Sequence, residues 1–506
     1  MVSSFRVYPR GFCLTPVETD LFDDLPHFKH VALNRQYHLY VDDAAGHDVA
    51  TAGDTDGVVI VGKAWPMSTG VVPSDTDSPA QSLLDIYRSA ENHLDGLRSI
   101  EDALYDFAGR YAVVVCTEND LVLYNDAVGT RTVYFNERTR QVASHYDMLA
   151  RLSGKPAAGL EFGEARWEAT WDVTDHEDIF ALLPNHRFRF DGLSRERFFL
   201  TEPNRAADML EETKFKTVFK LWDEQMQWML RCSDGRKIHF SMTGGMDSRT
   251  TLAMARKYVK KFSSFTYTVR EAVPETAGPL KTNFQRVLGR DYRIVKRLEE
   301  FLPEGHRFIV RKAEGSGLSA DDISVLKRNC LLRSGHGRWI LPGYMEASKD
   351  IRTIHYRGNL LEIGRLYGGS TVGTDPRAVA RRRSRAFAAK QKLSTDKFVE
   401  FFLQKFDDFK FDEIHKDYET NDAFYWEHRH GRWYSEVLNE TDIAFDTISP
   451  FNCRRIIDIF LSFEPEVRKQ AYMQKELIYR AHPVLMFFGI NEDTDLYEQQ
   501  KKLNND

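Results

Sequence analysis

Cysteine is scarce and scattered in this chain: Cys13, Cys116, Cys232, Cys330 and Cys453 are five in number, far apart and without a CxxC pair. That pattern excludes a disulfide framework and a cysteine zinc site, and makes buried thiols the expectation. No HExxH occurs among the sixteen histidines, so the zinc-hydrolase signature is missing too. There is no apolar run of membrane-spanning length, and the opening MVSSFRVYPR has no apolar signal-peptide core. A cytoplasmic protein without a membrane partner is expected. An excess of positive charge is also lacking: 69 Lys and Arg against 75 Asp and Glu leave a net charge of −6, which argues against a nucleic-acid partner.

What is present is length and one loop. A chain of 506 residues is too long for one ordinary core, and its 42% hydrophobic and 28% charged residues are those of a soluble enzyme. The stretch Lys237 to Lys257, KIHFSMTGGMDSRTTLAMARK, organises the rest. Lys237 to Met242 reads as a strand, Thr243-Gly244-Gly245-Met246-Asp247-Ser248 as a tight turn, and Thr250 to Lys257 as a helix. Strand, Gly-Gly turn and helix together build an anion site. Two glycines allow positive φ and inward-pointing N–H groups, and the helix N-terminus adds about half a positive charge. Thr243 and Ser248 offer hydroxyls, and Asp247 is placed to hold Mg²⁺ against the same phosphates.

In the first two hundred residues, Phe5 to Val61 alternates short apolar segments with turns and reads as strand-rich. Asp42 to Gly57 and the Gly70 to Pro79 segment read as loops, and Ala80 to Ala108 has helical spacing. Asp106 to Cys116 and Asp120 to Phe135 read as a hairpin, with a third strand at Val133 to Phe135 after a turn at Gly129. Beyond the organising loop come strand Phe262 to Val269, a helix from about Leu280 to Leu288, and strand Tyr292 to Val295. That alternation is the pattern of a doubly wound parallel sheet, whose ligands bind outside the strand C-termini.

These motifs carry a resemblance. Thr243 to Ser248 resembles the pyrophosphate loop Ser-Gly-Gly-x-Asp-Ser of ATP pyrophosphatases, with Thr243 keeping the first hydroxyl. Asp126, Gly129 and Tyr134 sit as in the glutaminase domain of asparagine synthetases. Val142 to Leu149 is similar to that family's "Ala-Ser-Glu" strand and helix, and Leu182-Leu-Pro-Asn-His186 to its "Leu-Pro-Pro-Gly-His" turn. Later, His355 to Gly369 occupies the place of "Ser-Gly-x-Gly-Ala-Asp-Glu-x-x-x-Gly-Gly", with Glu362 matching and Leu361 where the relatives have a Mg²⁺-binding Asp. Glu362 or Asn359 are candidates to substitute for it. Trp426 to Tyr434 resembles the helix lining the acceptor pocket, and Asp446 to Phe451 the "Glu-x-Arg-x-Pro-Phe" segment, with Ile448 in place of Arg. Gln474 to Arg480 resembles a late helix whose lysine, here Lys475, contacts phosphate. The resemblance also places the end of the second strand, near Thr266 to Thr268, beside adenine.

The resemblance implies an α/β protein of two parts. Residues 1–205 would form an αββα Ntn-hydrolase-like sandwich, and residues 206–506 a doubly wound parallel-sheet ATP pyrophosphatase domain of the adenine nucleotide α-hydrolase-like kind. A working glutaminase of this family needs Cys at residue 2, and Val2 stands there. Loss of glutamine hydrolysis is therefore expected. The implied activity is that of an AMP- and pyrophosphate-forming ligase that uses ATP and Mg²⁺ to adenylate a carboxylate and join it to an amine. Relatives with the same loss, β-lactam synthetases and lasso-peptide cyclases, close rings in this way. Thr243, Gly244, Gly245, Asp247 and Ser248 would bind nucleotide, and Asp247 the metal. Lys475 would stabilise the transition state with Glu362, and Tyr356 is the nearest tyrosine to one that the β-lactam-forming relatives use. An ammonia-dependent asparagine synthetase, a tRNA-modifying relative and an inactive nucleotide-binding scaffold are the alternatives. Homo-oligomerisation is left open. Arg377 to Lys392 is a basic helix, read as a solvated surface.

Overall fold

The computed structural model describes residues 5–501 except 34–35, 68–77, 156, 160–170, 312–316, 332–340, 349, 372–373, 393, 497 and 499–500. The loop expected at 70–79 falls almost wholly outside the described residues, as does the end of the polar tail, whose fraying was expected.

The strand Phe107–Cys116 is buried along its whole length, so both of its faces must be covered. It sits inside an antiparallel sheet ordered Ser194–Arg197, His186–Arg189, Leu121–Asn125, Phe107–Cys116, Asp56–Pro66, His47–Ala52. A second antiparallel sheet runs Ile179–Ala181, Tyr134–Asn136, Gln141–Ala143, Phe12–Thr15, His38–Asp42, Phe28–Ala32. Phe12, Leu39 and Val41 of the second sheet meet Val61, Val114 and Leu123 of the first in one apolar layer. Helices Pro79–Arg88 and His93–Leu104 cover the outer face of the first sheet through Leu83, Leu84, Leu97 and Ile100. Helix Tyr146–Ser153 covers the second through Met148 and Leu149. The layers therefore run helix, sheet, sheet, helix.

Local chemistry sets these boundaries. Ser78 and Asn92 each accept a backbone N–H three residues on, and the Asn92 cap divides the expected Ala80 to Ala108 helix into two. The Asp42 to Gly57 loop expectation is corrected: His47–Ala52 pairs with Asp56–Pro66 across a turn in which Gly53 has φ +66°. That edge strand buries only Ala50, so it lacks the alternation that identifies a strand.

Helix Glu211–Cys232 buries Phe215, Val218, Trp222, Met226 and Met229, spaced by threes and fours, and leads into the third sheet. That sheet is parallel throughout, ordered Arg307–Arg311, Phe262–Val269, Ile238–Ser241, Ile354–Tyr356, Asp446–Ile448. The first three strands in chain order build outward on one side and the last two on the other. The order reverses between Ile238–Ser241 and Ile354–Tyr356, which opens a crevice at their C-terminal ends. The strand expected at Tyr292 to Val295 is corrected: those residues lie inside helix Asn283–Arg297, and Arg307–Arg311 is the third strand. A capping box of Thr282 and Gln285 starts that helix, and Leu288, Asp291, Ile294 and Val295 bury at helical spacing.

The regions on either side of residue 205 share one apolar cluster, in which Trp65, Ala108, Val128 and Trp171 join Trp222, Phe240 and Phe451. Buried ion pairs cross the same boundary. Both Arg110 Nη atoms bond the Asp442 carboxylate, Lys63 Nζ lies 2.5 Å from Asp446 Oδ2, and the Arg197 guanidinium bonds both oxygens of Glu427.

Candidate functional site

The crevice is closed on one side by the expected loop. Met242 N–H donates to the Phe265 carbonyl at 2.9 Å, continuing the strand Ile238–Ser241, and the chain then turns into helix Met246–Met254. Ser248 Oγ reaches back to the Thr243 carbonyl at 3.0 Å and lies 3.0 Å from Thr243 Oγ1, so the two hydroxyls are held together. Gly245 is the N-cap and no side chain caps this helix, which leaves its first N–H groups without a side-chain acceptor.

The glycines act differently from the expectation. Neither Gly244 nor Gly245 has positive φ, and Gly245 has φ −84°. Gly244 is required by close approach: a Cβ there would lie 2.7 Å from Ile294 Cδ1 and 2.9 Å from Asp291 Oδ1. Its N–H donates to Asp291 Oδ1 at 3.0 Å, so it is engaged with helix Asn283–Arg297 and does not point into the crevice.

A cavity of about 180 Å³ lies against this loop, lined by Ser241, Thr243, Asp247 and Ser248 on the loop side and by Tyr267, Arg357, Gly358, Asn359 and Glu362 from neighbouring strand ends. Asp247 is its electrostatic centre. Oδ2 of Asp247 accepts from Arg365 at 3.0 Å, while Oδ1 is buried with no hydrogen-bond partner among the described residues. Burial pushes its carboxyl up to about 7, with Arg365 opposing and Glu362 adding to the shift. Glu362 stands on a short 3₁₀ turn, Leu361–Gly364, entered through Leu360 at φ +82°. Positive φ at a branched, fully buried leucine is strained backbone, held where it aims Glu362 into the cavity. Behind Glu362, His430 Nε2 lies 3.5 Å from Oε1, and burial lowers that imidazole to about 4. His430 belongs to Tyr425–Tyr434, a π-helical segment whose wider turns leave His430 buried beside the site.

Gly358 explains how the fourth strand approaches so closely. A Cβ there would lie 2.3 Å from Thr251 Oγ1 and 2.7 Å from the Asp247 carbonyl oxygen. The preceding Arg357 is 9% exposed and lies over the Tyr434 ring at 5.7 Å.

The structure brings together Thr243, Asp247, Ser248 and Glu362 from the expected set, with Gly244 and Gly245 shaping the loop. It does not bring Tyr356 to the cavity. That side chain is fully buried, with its hydroxyl accepting from Trp222 Nε1 at 2.8 Å and donating to the Thr251 carbonyl at 3.1 Å. Lys475 is exposed on helix Tyr472–Ala481 and is not among the cavity-lining residues, although its neighbour Gln474 donates to the Leu361 carbonyl at 3.0 Å. Leu361, where a metal carboxylate is expected, is fully buried. Asp446 and most of Trp426 to Tyr434 serve the contact with the first half: Trp426 Nε1 donates to the Ala127 carbonyl at 2.8 Å. Cys13 is buried in a central strand, and burial raises its thiol far above the usual range, so it offers no nucleophile. Val2 lies outside the described residues.

Sequence reasoning placed His430 in a segment resembling the acceptor-pocket helix and Arg357 and Arg365 in the His355 to Gly369 segment but gave none of the three a role, and it reached Tyr267 only through the Thr266 to Thr268 position near adenine in relatives. The Arg-Gly pair after a β-strand was the available signal for Arg357, but Ile354–Tyr356 is too short to show a period. Outside the crevice, Glu18, His30 and His38 bring potential ligand atoms within 4.8 Å of one another on the surface, where His30 Nε2 is already 3.1 Å from His38 Nδ1. No helix among the described residues is long and apolar enough to cross a membrane.

No protein-family model matches this chain, and no curated protein matches it. Among solved structures it is weakly similar to the glutamine phosphoribosylpyrophosphate amidotransferase of B. subtilis complexed with ADP and GMP, at 10% identity over 61% of this chain and 88% of that one, with a TM-score of 0.26. It is also weakly similar to a structure described as the allosteric regulatory enzyme of purine biosynthesis, at 11% identity over 73% of this chain and 71% of that one, with a TM-score of 0.24. Likeness at this level carries no argument about this chain's function.

Proposed function

We propose that this protein is an ATP-dependent carbon–nitrogen ligase that adenylates a substrate carboxylate and joins it to an amine, releasing AMP and pyrophosphate. In this reading the parallel-sheet half is an ATP pyrophosphatase-type domain of the asparagine-synthetase-like kind, and the four-layer half is a glutaminase-like scaffold without its nucleophile. One observation carries it. At the point where the strand order reverses, an uncapped helix N-terminus and a carboxylate with an orphaned buried oxygen face one cavity.

The residues present fit Mg²⁺ and a triphosphate. Asp247 would hold the cation, with Asn359 supplying a further oxygen on the same wall, and Asp247 keeps one buried oxygen with no hydrogen-bond partner among the described residues. When bound, Mg-ATP supplies an AMP leaving group for an otherwise inert carboxylate oxygen. The chain's own residues do the rest. Thr243, Ser248 and the helix N-terminus orient phosphate oxygens. Glu362 is placed to take the proton that the nitrogen nucleophile sheds as the amide forms, backed by a neutral His430. Lys475 stands exposed outside the cavity lining, on the helix whose Gln474 bonds the Leu361 carbonyl, and in this reading its ammonium answers charge developing on phosphate. The burial of Cys13 supports an amine of a second molecule or of the same substrate as the nitrogen source, giving an amide or a lactam.

The test is ATP–pyrophosphate exchange screened over a panel of carboxylic acids. Wild type and Val2→Ala should exchange, and Asp247→Ala should not. Exchange undiminished in Asp247→Ala, or glutamate released from glutamine by the wild type, contradicts the proposal. A second reading, an inactive nucleotide-binding scaffold, is favoured by one observation: Arg365 already occupies Asp247 Oδ2. Nucleotide binding with no exchange for any acid in the panel supports it.

A further inference from the structure

The crevice holds a buried guanidinium that no carboxylate bonds directly among the described residues, although Glu362 lines the same cavity. Arg357 is nine-tenths buried and lines the cavity, yet among the described residues its guanidinium makes no side-chain hydrogen bond and no ion pair. Other arginines buried as deeply have partners of their own: Arg110 holds the Asp442 carboxylate with both Nη atoms, Arg197 does the same with Glu427, and Arg249 bonds the Leu485, Phe488 and Gly489 carbonyls. Arg365 in the same crevice is paired too, with Asp247 at 3.0 Å. An arginine cannot relieve burial by losing its proton, and a charge held out of bulk water without a counter-charge is costly. The guanidinium lies over the Tyr434 ring, and the Tyr434 hydroxyl is itself buried without a hydrogen-bond partner among the described residues. The position of Arg357 is fixed from both sides. Its N–H donates to the Ile448 carbonyl at 3.1 Å, and Gly358 brings the next residue against the Asp247 carbonyl and Thr251.

We propose that Arg357 is an anion-binding residue whose partner arrives with the ligand: the terminal phosphates of a nucleoside triphosphate, held between its guanidinium and the uncapped N-terminus of helix Met246–Met254. This rests on the nucleotide reading given above and adds a phosphate clamp to it. Phosphate is favoured over a carboxylate because the same cavity presents the paired Thr243 and Ser248 hydroxyls and the free helix N–H groups, more donors than one carboxylate uses. The planar fork of the guanidinium matches two phosphate oxygens at once.

Calorimetric titration of ATP, pyrophosphate and AMP, with Mg²⁺ present, into wild type, Arg357→Gln, Arg357→Lys and Tyr434→Phe tests this. In Arg357→Gln the affinities for ATP and pyrophosphate should fall between about 10- and 150-fold, the span of one charge-assisted hydrogen-bonded contact, while AMP changes less than about twofold. Arg357→Lys should recover part of the loss, and Tyr434→Phe should lose a few-fold at most. Should Arg357→Gln fail to fold, pyrophosphate soaked into wild-type crystals decides the matter, with density in hydrogen-bond contact with the Arg357 guanidinium expected. Wild-type affinities for ATP and pyrophosphate retained in Arg357→Gln overturn the clamp while leaving the nucleotide reading intact. If acid-dependent exchange at saturating ATP is then the only property lost, Arg357 binds the substrate carboxylate instead. Wild type that binds neither ATP nor pyrophosphate overturns both proposals.

Discussion

Replacing Asp247 by Asn should make the ligand-free protein more stable while abolishing its activity. The folded carboxyl titrates at about 7 against an ordinary 3.8, and burial is the main cause. At 1.36 kcal/mol per unit, about three units set a ceiling near 4 kcal/mol on what ionised Asp247 costs the fold. Asn keeps the shape and removes the charge, but it weakens the 3.0 Å contact with Arg365. The shift already includes the opposing pull of Arg365, so the net gain lies between zero and that ceiling of about 4 kcal/mol. The sign with pH follows from the direction of the shift. A carboxyl raised on folding stabilises the native state below its unfolded value, and that stabilisation is lost as pH rises through the folded value. The advantage of Asp247→Asn should therefore grow between about pH 4 and pH 7 and level off above. Paired urea or thermal denaturation at several values from pH 5 to pH 8 reads it, with the transition midpoint as the observable. An Asn variant that melts at or below wild type throughout, or a difference independent of pH, refutes the electrostatic account of the site.

Three other outcomes are expected. Arg110→Ala leaves Asp442 and Asp446 buried beside one cation fewer and should destabilise the protein by about 3–5 kcal/mol, seen as a lower denaturation midpoint. Gly358→Ala forces a Cβ to 2.3 Å from Thr251 Oγ1, and should cost about 1–3 kcal/mol and reduce the melting shift produced by ATP; unchanged values would show that the fourth strand yields easily. Lys475→Ala should leave ATP affinity within a few-fold and slow amide formation at least tenfold, whereas an unaffected rate would remove Lys475 from the site.

Most of what positions the crevice is legible in local sequence. Apolar strand, Gly-Gly turn and helix follow one another without interruption between Lys237 and Lys257, and the hairpin around Thr117 to Asp120 is bounded by turn residues on a doubly buried strand. The third strand of the parallel sheet was not legible. Arg307–Arg311 is a half-exposed edge with arginine at both ends, while the β-branched pair Ile294 and Val295 in the preceding helix imitates a strand. The roles of individual side chains depend on partners distant in the chain. Tyr356 is withdrawn from chemistry by Trp222, which lies 134 residues earlier, and Arg365 meets Asp247 across 118 residues. That no carboxylate among the described residues bonds Arg357 directly is a property of the folded surroundings, since a sequence shows only that an arginine is present.

The central claim, that this cavity grips a triphosphate, is tested most directly by a crystal structure with Mg²⁺ and a non-hydrolysable ATP analogue. The account predicts phosphate density against Thr243, Ser248 and the N-terminus of helix Met246–Met254, with Arg365 withdrawn from Asp247. An empty cavity, or a nucleotide bound elsewhere on the protein, would contradict it.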